Sequence, residues 1–329
     1  MTHSTAAVPV SLRPRWSERI TAHAAIMRLD HSIKNVFVIP GIVVALSLER
    51  TRPHELWKNI FVGFLATTLI ACSNYVINEV LDAPFDRLHP VKRNRPAARG
   101  LVCRPVAYIQ WIVMMLAGLA LSLQISLKFT VVAAALWLMG CLYNIRPFRT
   151  KDVVYLDVLT ESINNPLRML LGWYMVSSDL VPPVSLLCCY WMLGCYLMGL
   201  KRFSELREIG SGIIAGRYRQ SFKHYTELSL LQSVFFYSSF AMLLFGAFII
   251  RYRMELIFAF PLVSWMMCTY FQLAFAAQSS VQNPEKLYKE PRLMLGLALT
   301  VSTIVMLLFI DIPWLPTVFT NSLPAAALR

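Results

Sequence analysis

The sequence predicts an all-α integral membrane protein with about nine transmembrane helices around a central chamber that opens to the cytoplasm. Of the 329 residues, 57% are hydrophobic and only 15% are charged, and the mean hydropathy is +0.55. Apolar runs long enough to cross a bilayer recur along the chain. Charged residues separate these runs instead of forming a soluble domain. The net charge of +13 therefore indicates membrane topology and argues against a nucleic-acid partner.

The amino-terminal residues 1–32 are predicted to form a cytoplasmic amphipathic arm. Trp16, Ile20 and Ile26 alternate there with basic residues, a pattern typical of a helix that lies on a membrane surface. The arm is too charged to be a cleaved signal peptide, which would carry a short apolar core.

Nine apolar runs define the predicted membrane domain, residues 33–311, which a short outer tail follows at 312–329. The predicted helices are 33–49, 57–81, 102–123, 129–145, 153–176, 184–201, 227–250, 254–277 and 292–311. Most of the 31 Lys and Arg residues lie in the arm and in the loops after helices 2, 4, 6 and 8. The positive-inside rule then places the N-terminus and these loops in the cytoplasm and the C-terminus outside.

The second predicted helix ends in acidic residues that meet a basic loop. Asn78, Asp82 and Asp86 recur every four residues, so each steps about 40° from the last and all three share one helix face. Glu79 adds a fourth oxygen-bearing side chain. Such hard oxygen ligands suit Mg²⁺, which binds one or two carboxylates and completes its shell with water and substrate phosphates. The alternative is a solvated helix end whose acids pair with nearby basic residues, namely Arg87, Lys92 and Arg93.

The fifth predicted helix carries a polar stripe through an otherwise apolar segment. The stripe consists of Asp157, Glu161, Asn164, Asn165 and Arg168. Polar side chains at membrane depth are costly and normally face a partner or a water-filled cavity, so the stripe predicts one wall of a chamber. Pro166 should loosen the helix there and free a backbone carbonyl group. The alternative is an internal network in which Arg168 neutralises Glu161 and only joins helices.

The sixth predicted helix ends in cations that should face the same cytoplasmic mouth as the acids of helix 2. Lys201 and Glu205 are one turn apart, and Arg202 lies beside them. Together the two helix ends predict a site that binds a metal-chelated pyrophosphate on one wall and free phosphate groups on the other. The alternative is that positive-inside bias alone placed these cations.

The chain resembles the UbiA superfamily of intramembrane prenyltransferases, whose members carry the motif Asn-(acid)-x-x-Asp-x-x-x-Asp at the end of helix 2. Here the motif is Asn78-Glu79-x-x-Asp82-x-x-x-Asp86, with Glu79 where Asp is common. Members that transfer prenyl groups have a second Asp-x-x-x-Asp motif after helix 6, where this chain has the basic run 201–205. In this respect the chain is similar to the decaprenyl-phosphate phosphoribosyltransferase branch. The likeness extends through Lys34-Asn35, 86–96, Tyr143, Lys151, 157–168 and 219–228.

The resemblance implies a transferase that uses Mg²⁺ to move 5-phosphoribosyl from phosphoribosyl pyrophosphate to a polyprenyl phosphate in a bacterial cytoplasmic (inner) membrane. It implies that Asn78, Asp82 and Asp86 are catalytic and hold the metal. The substrate-binding residues it implies are Lys34, Glu79, Lys92, Arg93, Arg95, Tyr143, Lys151, Asp157, Glu161, Arg168, Lys201 and Arg202.

Two other functions stay open at this point. One is a prenyltransferase that moves a polyprenyl group from its diphosphate to an aromatic acceptor, with Glu205 and Glu208 as a degenerate second acidic motif. The other is a transporter or lipid-binding membrane protein, in which the stripe of helix 5 would line a path. Common transporter folds have internal repeats with interrupted helices in matching positions, and the sequence does not have this pattern.

Overall fold

A computed structural model describes residues 16–49, 54–88, 91–210, 216, 219–282 and 284–319. Residues 1–15 of the predicted arm and 320–329 of the predicted tail lie outside this part of the chain. Within the described ranges the protein is helical and has no β-strand. The α-helices are α1 Trp16–Ala25, α2 Ile39–Leu48, α3 Leu56–Asp86, α4 Arg104–Ser122, α5 Leu127–Asn144, α6 Leu156–Ser162, α7 Asn164–Val176, α8 Val184–Ile209, α9 Glu227–Tyr252, α10 Phe260–Ala274, α11 Pro291–Phe309 and α12 Leu315–Phe319.

The all-helical membrane fold is confirmed, and eight helical stretches of the described residues are long and apolar enough to span a bilayer. They are Trp16–Leu48, Leu56–Asp86, Arg104–Ser122, Leu127–Asn144, Val184–Ile209, Glu227–Tyr252, Met254–Ala274 and Pro291–Phe309. The first and seventh stretches include the 3₁₀ segments Leu29–Val38 and Met254–Ala259, where the sequence predicted uninterrupted helices.

The predicted helix 153–176 is not one of these eight spans, because it is divided into α6 and α7 at Ile163. Pro166 has no N–H to donate to the carbonyl oxygen of Ser162, and its ring crowds that carbonyl. The expected loosening by proline is therefore present, and it separates the polar stripe into a short α6 and a longer α7.

Local sequence signals explain where several helices begin and end. The Ser126 side chain accepts the Phe129 N–H at the start of α5, and a capping box between Thr226 and Ser229 starts α9. Gly210, with φ of 68°, lies in the left-handed conformation that ends α8. No such stop follows residues 81 or 201, and α3 and α8 continue beyond these predicted ends to Asp86 and Ile209.

Helix α3 packs against α4, α5 and α7, while α8 packs against α6, α7, α9 and α10. Helices α2 and α7 cross closely enough that glycine is required on both. A Cβ atom on Gly41 would lie 1.9 Å from the Met169 carbonyl oxygen, and one on Gly172 would lie 2.0 Å from that of Val38. This close crossing brings the segment before α2 next to the polar start of α7.

Helix α1 lies against the bundle with one side exposed. Trp16 and Ile20 are exposed, as expected for a surface helix. Ile26, just after α1, is instead fully buried in a small cluster with Val76 and Val80 of α3. The end of α1 and Ile26 are therefore docked on the helix that carries the acidic motif.

Candidate active site

Because α3 continues to Asp86, all four residues of the acidic motif lie on one regular helix. Glu79 and Asp86 are two turns apart and face the loop that follows the helix. The Ala97 N–H donates to Glu79 Oε1 at 3.4 Å, and Arg95 Nη1 donates to Asp86 Oδ2 at 2.8 Å. These two acids therefore fold the basic loop back onto the end of α3.

Asp82 lies in a second group of contacts, the Asp82 cluster, formed by Asn78, Asp82, Asn144, Arg149 and Lys151. Lys151 Nζ lies 2.5 Å and Arg149 Nη2 lies 3.0 Å from Asp82 Oδ1. The same ammonium group donates to Asn144 Oδ1 at 2.7 Å and to Asn78 Oδ1 at 3.3 Å. The turn after α5 thus supplies two cations to one carboxylate of the motif.

Asp157 is the centre of a third group, the Asp157 cluster, which also contains Arg202, Arg219, Ser221 and Tyr225. Its carboxylate is 0% exposed, with Arg202 Nε at 3.0 Å and Arg219 Nη1 at 3.5 Å from Oδ2. Ser221 Oγ donates to Oδ2 at 3.3 Å, and the Tyr225 hydroxyl donates to Oδ1 at 2.7 Å. The cluster joins α6, α8 and the segment before α9.

The two remaining acids near these groups, Glu161 and Glu205, face an excess of positive charge. Glu205 Oε2 pairs with Arg202 Nη1 at 2.9 Å, and Glu161 interacts electrostatically with cations from three parts of the chain. Five cations, which we call the basic wall, interact electrostatically with Glu161 or Glu205; they are Lys34, Lys92, Lys201, Arg202 and Arg219. The loop after α3 and the end of α8 are therefore close enough to interact electrostatically, as between Lys92 and Glu205.

The structure gives Arg168 different partners from those expected. Its Nε atom donates to Asn35 Oδ1 at 3.4 Å and its Nη1 atom to the Asn164 carbonyl oxygen at 3.5 Å. The alternative from the sequence, in which Arg168 pairs with Glu161, is therefore not observed; Arg168 contacts Asn35 and Asn164 instead. Tyr143 accepts a 3.1 Å hydrogen bond from Arg219 Nη1, whereas Arg93 is exposed on the turn Lys92–Asn94.

Several residues that hold these clusters together have no distinctive pattern in the sequence. Asn144 and Arg149 belong to the Asp82 cluster, and Arg219, Ser221 and Tyr225 to the Asp157 cluster. The segment 219–228 was noted only as part of the resemblance. Arg149 and Arg219 could have been considered as site residues, because both lie in loops that the distribution of Lys and Arg assigns to the same side of the membrane as the acidic motif.

The acidic end of α3 has the chemistry of a divalent-metal site, although no group of three or more His, Cys, Asp and Glu side chains is gathered in the described ranges. Asp82 accepts its hydrogen bonds through Oδ1 and Asp86 through Oδ2. Within the described residues, Asp82 Oδ2 and Asp86 Oδ1 accept none. Mg²⁺ typically uses one or two carboxylates and relies on water and substrate phosphates for its other ligands. The residues present therefore fit such an ion.

An apolar groove of about 450 Å³ lies between α6, α8 and α9. Tyr155, Met192, Ser233, Phe236 and Phe240 are among the residues that line it. The Tyr155 N–H, at a positive φ of 61°, donates to the Tyr225 hydroxyl oxygen at 2.7 Å. Because that hydroxyl group in turn donates to Asp157, the groove begins beside the Asp157 cluster.

Comparisons with known proteins show what the chain is similar to. The model of the UbiA prenyltransferase family matches residues 37–298. The chain is 30% identical over 164 residues to the uncharacterized protein y4nM of Sinorhizobium fredii, covering 49% of this chain and 30% of that one. It is 27% identical over 211 residues to the decaprenyl-phosphate phosphoribosyltransferase of Mycolicibacterium smegmatis, covering 64% of each. The chain thus spans less than two thirds of the length of these curated relatives.

Among solved structures, a UbiA homolog from Archaeoglobus fulgidus bound to GPP and Mg²⁺ has a TM-score of 0.66 to this chain. The likeness covers 88% of this chain and 100% of the other, with 16% sequence identity. At this identity the likeness concerns the fold.

Proposed function

The chain belongs to the UbiA prenyltransferase family, and from this premise we propose that it transfers 5-phosphoribosyl from phosphoribosyl pyrophosphate to a polyprenyl phosphate, with release of pyrophosphate. The observation that carries this proposal is the basic wall. Where a second acidic motif would hold another metal ion, α8 carries Lys201 and Arg202, and Arg202 pairs with Glu205 and Asp157. The likeness to a decaprenyl-phosphate phosphoribosyltransferase supports the same donor and acceptor.

Cations gathered in a part-buried site favour an anionic ligand, because charge is costly away from water. The proposed donor is a small polyanion with a phosphate at one end and a pyrophosphate at the other. We assign the 5-phosphate to Lys201 and Arg219, with Arg202 held behind them by Asp157 and Glu205. Lys34 and Arg168 lie on the neighbouring segments and complete the proposed anion site, and Glu161 is assigned to the ribose hydroxyl groups.

Asp82 and Asp86, with the amide oxygen of Asn78 beside them, are the proposed ligands of Mg²⁺. When bound, the ion would neutralise charge on the departing pyrophosphate. Lys151, Arg149 and Lys92 are placed to donate to the pyrophosphate oxygens, and Arg95 holds Asp86 in position. Glu79 anchors the loop through Ala97 and is assigned a structural part in the site.

The reaction breaks the bond between ribose C1 and the pyrophosphate oxygen and forms a bond between C1 and an oxygen of the lipid phosphate. The lipid phosphate is already ionised at neutral pH, so no strong general base is required. Positioning and electrostatic stabilisation therefore supply most of the catalysis. The water-soluble donor enters from the cytoplasm if the predicted orientation holds, with the N-terminus on that side of an inner membrane.

The alternative is prenyl transfer from a polyprenyl diphosphate to an aromatic acceptor, which the family name and the GPP-bound neighbour favour. That reaction needs a second acidic site. Glu205 is paired with Arg202, however, and Glu208 is exposed and binds Gln282. Glu205 and Glu208 are three positions apart, not four as in the Asp-x-x-x-Asp motif, and Lys201 and Arg202 lie within one turn of Glu205, which supports the phosphoribosyl reaction instead.

The proposed reaction is tested by incubating the purified protein with Mg²⁺ in two mixtures. One contains phosphoribosyl pyrophosphate and polyprenyl phosphate, and the other contains polyprenyl diphosphate and an aromatic acid. We expect pyrophosphate and a phosphoribosylated lipid, identified by its mass, from the first mixture only. A reaction without lipid acceptor measures hydrolysis of the donor. Turnover in the second mixture alone would assign the chain to prenyl transfer.

Donor binding should weaken at alkaline pH because two lysines of the site have lowered pKa values. Burial lowers the pKa of Lys92 and that of Lys151 to about 8, although the carboxylates Glu205 and Asp82 oppose this shift. Both groups are charged below pH 8 and lose their protons above it. We therefore expect kcat/KM for the donor to fall as pH rises from about 8 to 9. In the Lys92→Arg variant the fall should be smaller, because arginine stays charged; an unchanged profile would remove Lys92 from the donor site.

The apolar groove is where we place the polyprenyl chain of the acceptor, since it begins beside the Asp157 cluster and follows α9. Its lining residues on α9 extend from Ser229 to Phe240, about 16 Å along the helix. An apolar chain in this groove would keep the lipid phosphate near the basic wall.

Filling the groove with Ser233→Trp should raise KM for polyprenyl phosphate about tenfold, because displacing about two CH₂ groups costs roughly 0.8 kcal/mol each. KM for the donor should stay the same. Ser239→Trp is the matched control, since Ser239 is exposed on the same helix and does not line the groove. Equal KM values for polyprenyl phosphate in both variants would mean that its polyprenyl chain binds outside this groove.

A further inference from the structure

Lys151 lies among oxygen atoms of the kind that a divalent cation binds. Its hydrogen-bond partners within the described residues are the side-chain oxygens of Asp82, Asn144 and Asn78, at 2.5, 2.7 and 3.3 Å. The lysine side chain is only 4% exposed. Hard oxygen ligands gathered around one small, strongly hydrated charge are also what Mg²⁺ selects. Two of these three oxygen-bearing residues, Asn78 and Asp82, are among the proposed metal ligands.

Arg149 shares the carboxylate but is held in place more firmly than Lys151. Its Nη2 atom donates to Asp82 Oδ1, while Nε donates to Asp152 at 2.8 Å and Nη1 to the Asn144 carbonyl oxygen at 3.3 Å. Its guanidinium group also lies 4.9 Å from the centre of the Phe85 ring. Lys151 makes all of its hydrogen bonds through one ammonium group at the end of a flexible four-carbon stem. It can therefore turn away from Asp82, Asn78 and Asn144 in one movement, whereas Arg149 is also fixed by Asp152.

We propose that Lys151 and a divalent metal ion compete for Asp82 and Asn78, and that the Lys151 ammonium group moves from these oxygens to the donor's pyrophosphate when the metal complex binds. This inference rests on the proposed function and specifies how the acidic motif exchanges one cation for another. An ammonium group and a divalent ion repel one another and cannot share Asp82 closely. The pyrophosphate brings an anion to the same place, so the displaced ammonium group gains a new partner there.

The exchange predicts effects of opposite sign on two binding reactions. In Lys151→Gln, Mn²⁺ alone should bind about tenfold more tightly, because its competitor is gone. Inorganic pyrophosphate, added with saturating Mn²⁺, should bind about tenfold more weakly, because it loses an ammonium partner. The free Mn²⁺ signal in electron paramagnetic resonance measures the first affinity, and calorimetry measures the second.

Lys58→Gln is the matched control for the lost charge. Lys58 lies at the other end of α3, where it is exposed and pairs with Glu55. Both affinities should be unchanged in this variant. A gain of Mn²⁺ affinity in Lys58→Gln as large as that in Lys151→Gln would mean that general surface charge explains the effect, and would overturn the exchange.

Asn144→Ala is the second test variant, and it covers the case in which Lys151→Gln does not fold. It removes the 2.7 Å partner of Lys151 but keeps the ammonium charge. Mn²⁺ should again bind more tightly, and pyrophosphate affinity should be retained. Weaker or unchanged Mn²⁺ binding in the folded variants would contradict the competition, and unchanged pyrophosphate binding in Lys151→Gln would contradict the move to the donor. Neither probe contains ribose or lipid, so these outcomes are independent of the transfer assay.

Discussion

Replacing Asp82 by alanine is expected to lower Mg²⁺-dependent turnover by about 10²–10³-fold, the range for loss of one group that stabilises transition-state charge. Asp82 is a proposed metal ligand and is also the carboxylate on which Lys151 and Arg149 converge. The substitution removes the ligand and releases both cations from their position. Asp86→Ala should act in the same direction and should also release Arg95. Initial rates of pyrophosphate release and Mn²⁺ binding, measured on the same preparation, check both variants.

Asp152→Asn is the matched control for these two variants. Asp152 pairs with Arg149 at 2.8 Å, as Asp82 does at 3.0 Å, but it is outside the acidic motif. Its loss should leave Mn²⁺ affinity unchanged, whereas Asp82→Ala should weaken it. If Asp82→Ala and Asp86→Ala retain Mg²⁺-dependent turnover while folded, their carboxylates serve only as ion-pair partners at a helix end.

The acidic motif could be recognised in the sequence because its residues recur every four positions, close to the 3.6 residues of one helical turn. Asn78, Asp82 and Asp86 each step about 40° around α3, which continues past residue 81. In the structure Asp82 contacts the turn after α5, whereas Asp86 contacts the loop after α3. The sequence did not predict which cations would meet them. Arg87, an expected partner, donates instead to the Ala98 carbonyl oxygen. Lys151 and Arg149 reach Asp82 across more than sixty positions of the chain, a contact that only tertiary packing determines.

The position of the basic wall was predictable and its internal pairing was not. Lys201 and Arg202 could be placed on the side of the acidic motif from the distribution of positive charge. The contacts of Asp157, however, depend on two features that periodicity does not predict. These are the position of the short helix α6 and the path of the loop that leads to α9. Tyr225 fixes both, since its hydroxyl group accepts the Tyr155 N–H and donates to Asp157. A pattern-based analysis has no signal for such a contact between a turn and a loop.

Asp157→Asn should reduce the free energy of unfolding by about 3–5 kcal/mol, the usual effect of removing one partner from a buried ion pair. Asp157 is fully buried, and the substitution leaves Arg202 and Arg219 facing a neutral amide. Arg219 would also lose its alignment, so KM for the donor should rise more than kcat falls. Reversible unfolding in mixed micelles and steady-state kinetics with varied donor check the two effects.

Coupled variants separate the charge of Asp157 from its hydrogen bonds. Tyr225→Phe removes two hydrogen bonds, one to Asp157 and one from the Tyr155 N–H, and should cost about 1–3 kcal/mol, less than the loss of the charge. Adding Arg202→Gln to Asp157→Asn should cost less than the sum of the single variants, because the added change removes one of the cations that Asp157→Asn leaves unpaired. Ser221→Ala removes only one neutral hydrogen bond to Asp157 and serves as a reference for stability. If the free-energy changes are additive, or if Asp157→Asn is as stable as Ser221→Ala, the guanidinium groups find other partners. The basic wall would then keep its shape without Asp157, and the donor's own phosphate would be the counterion that organises it.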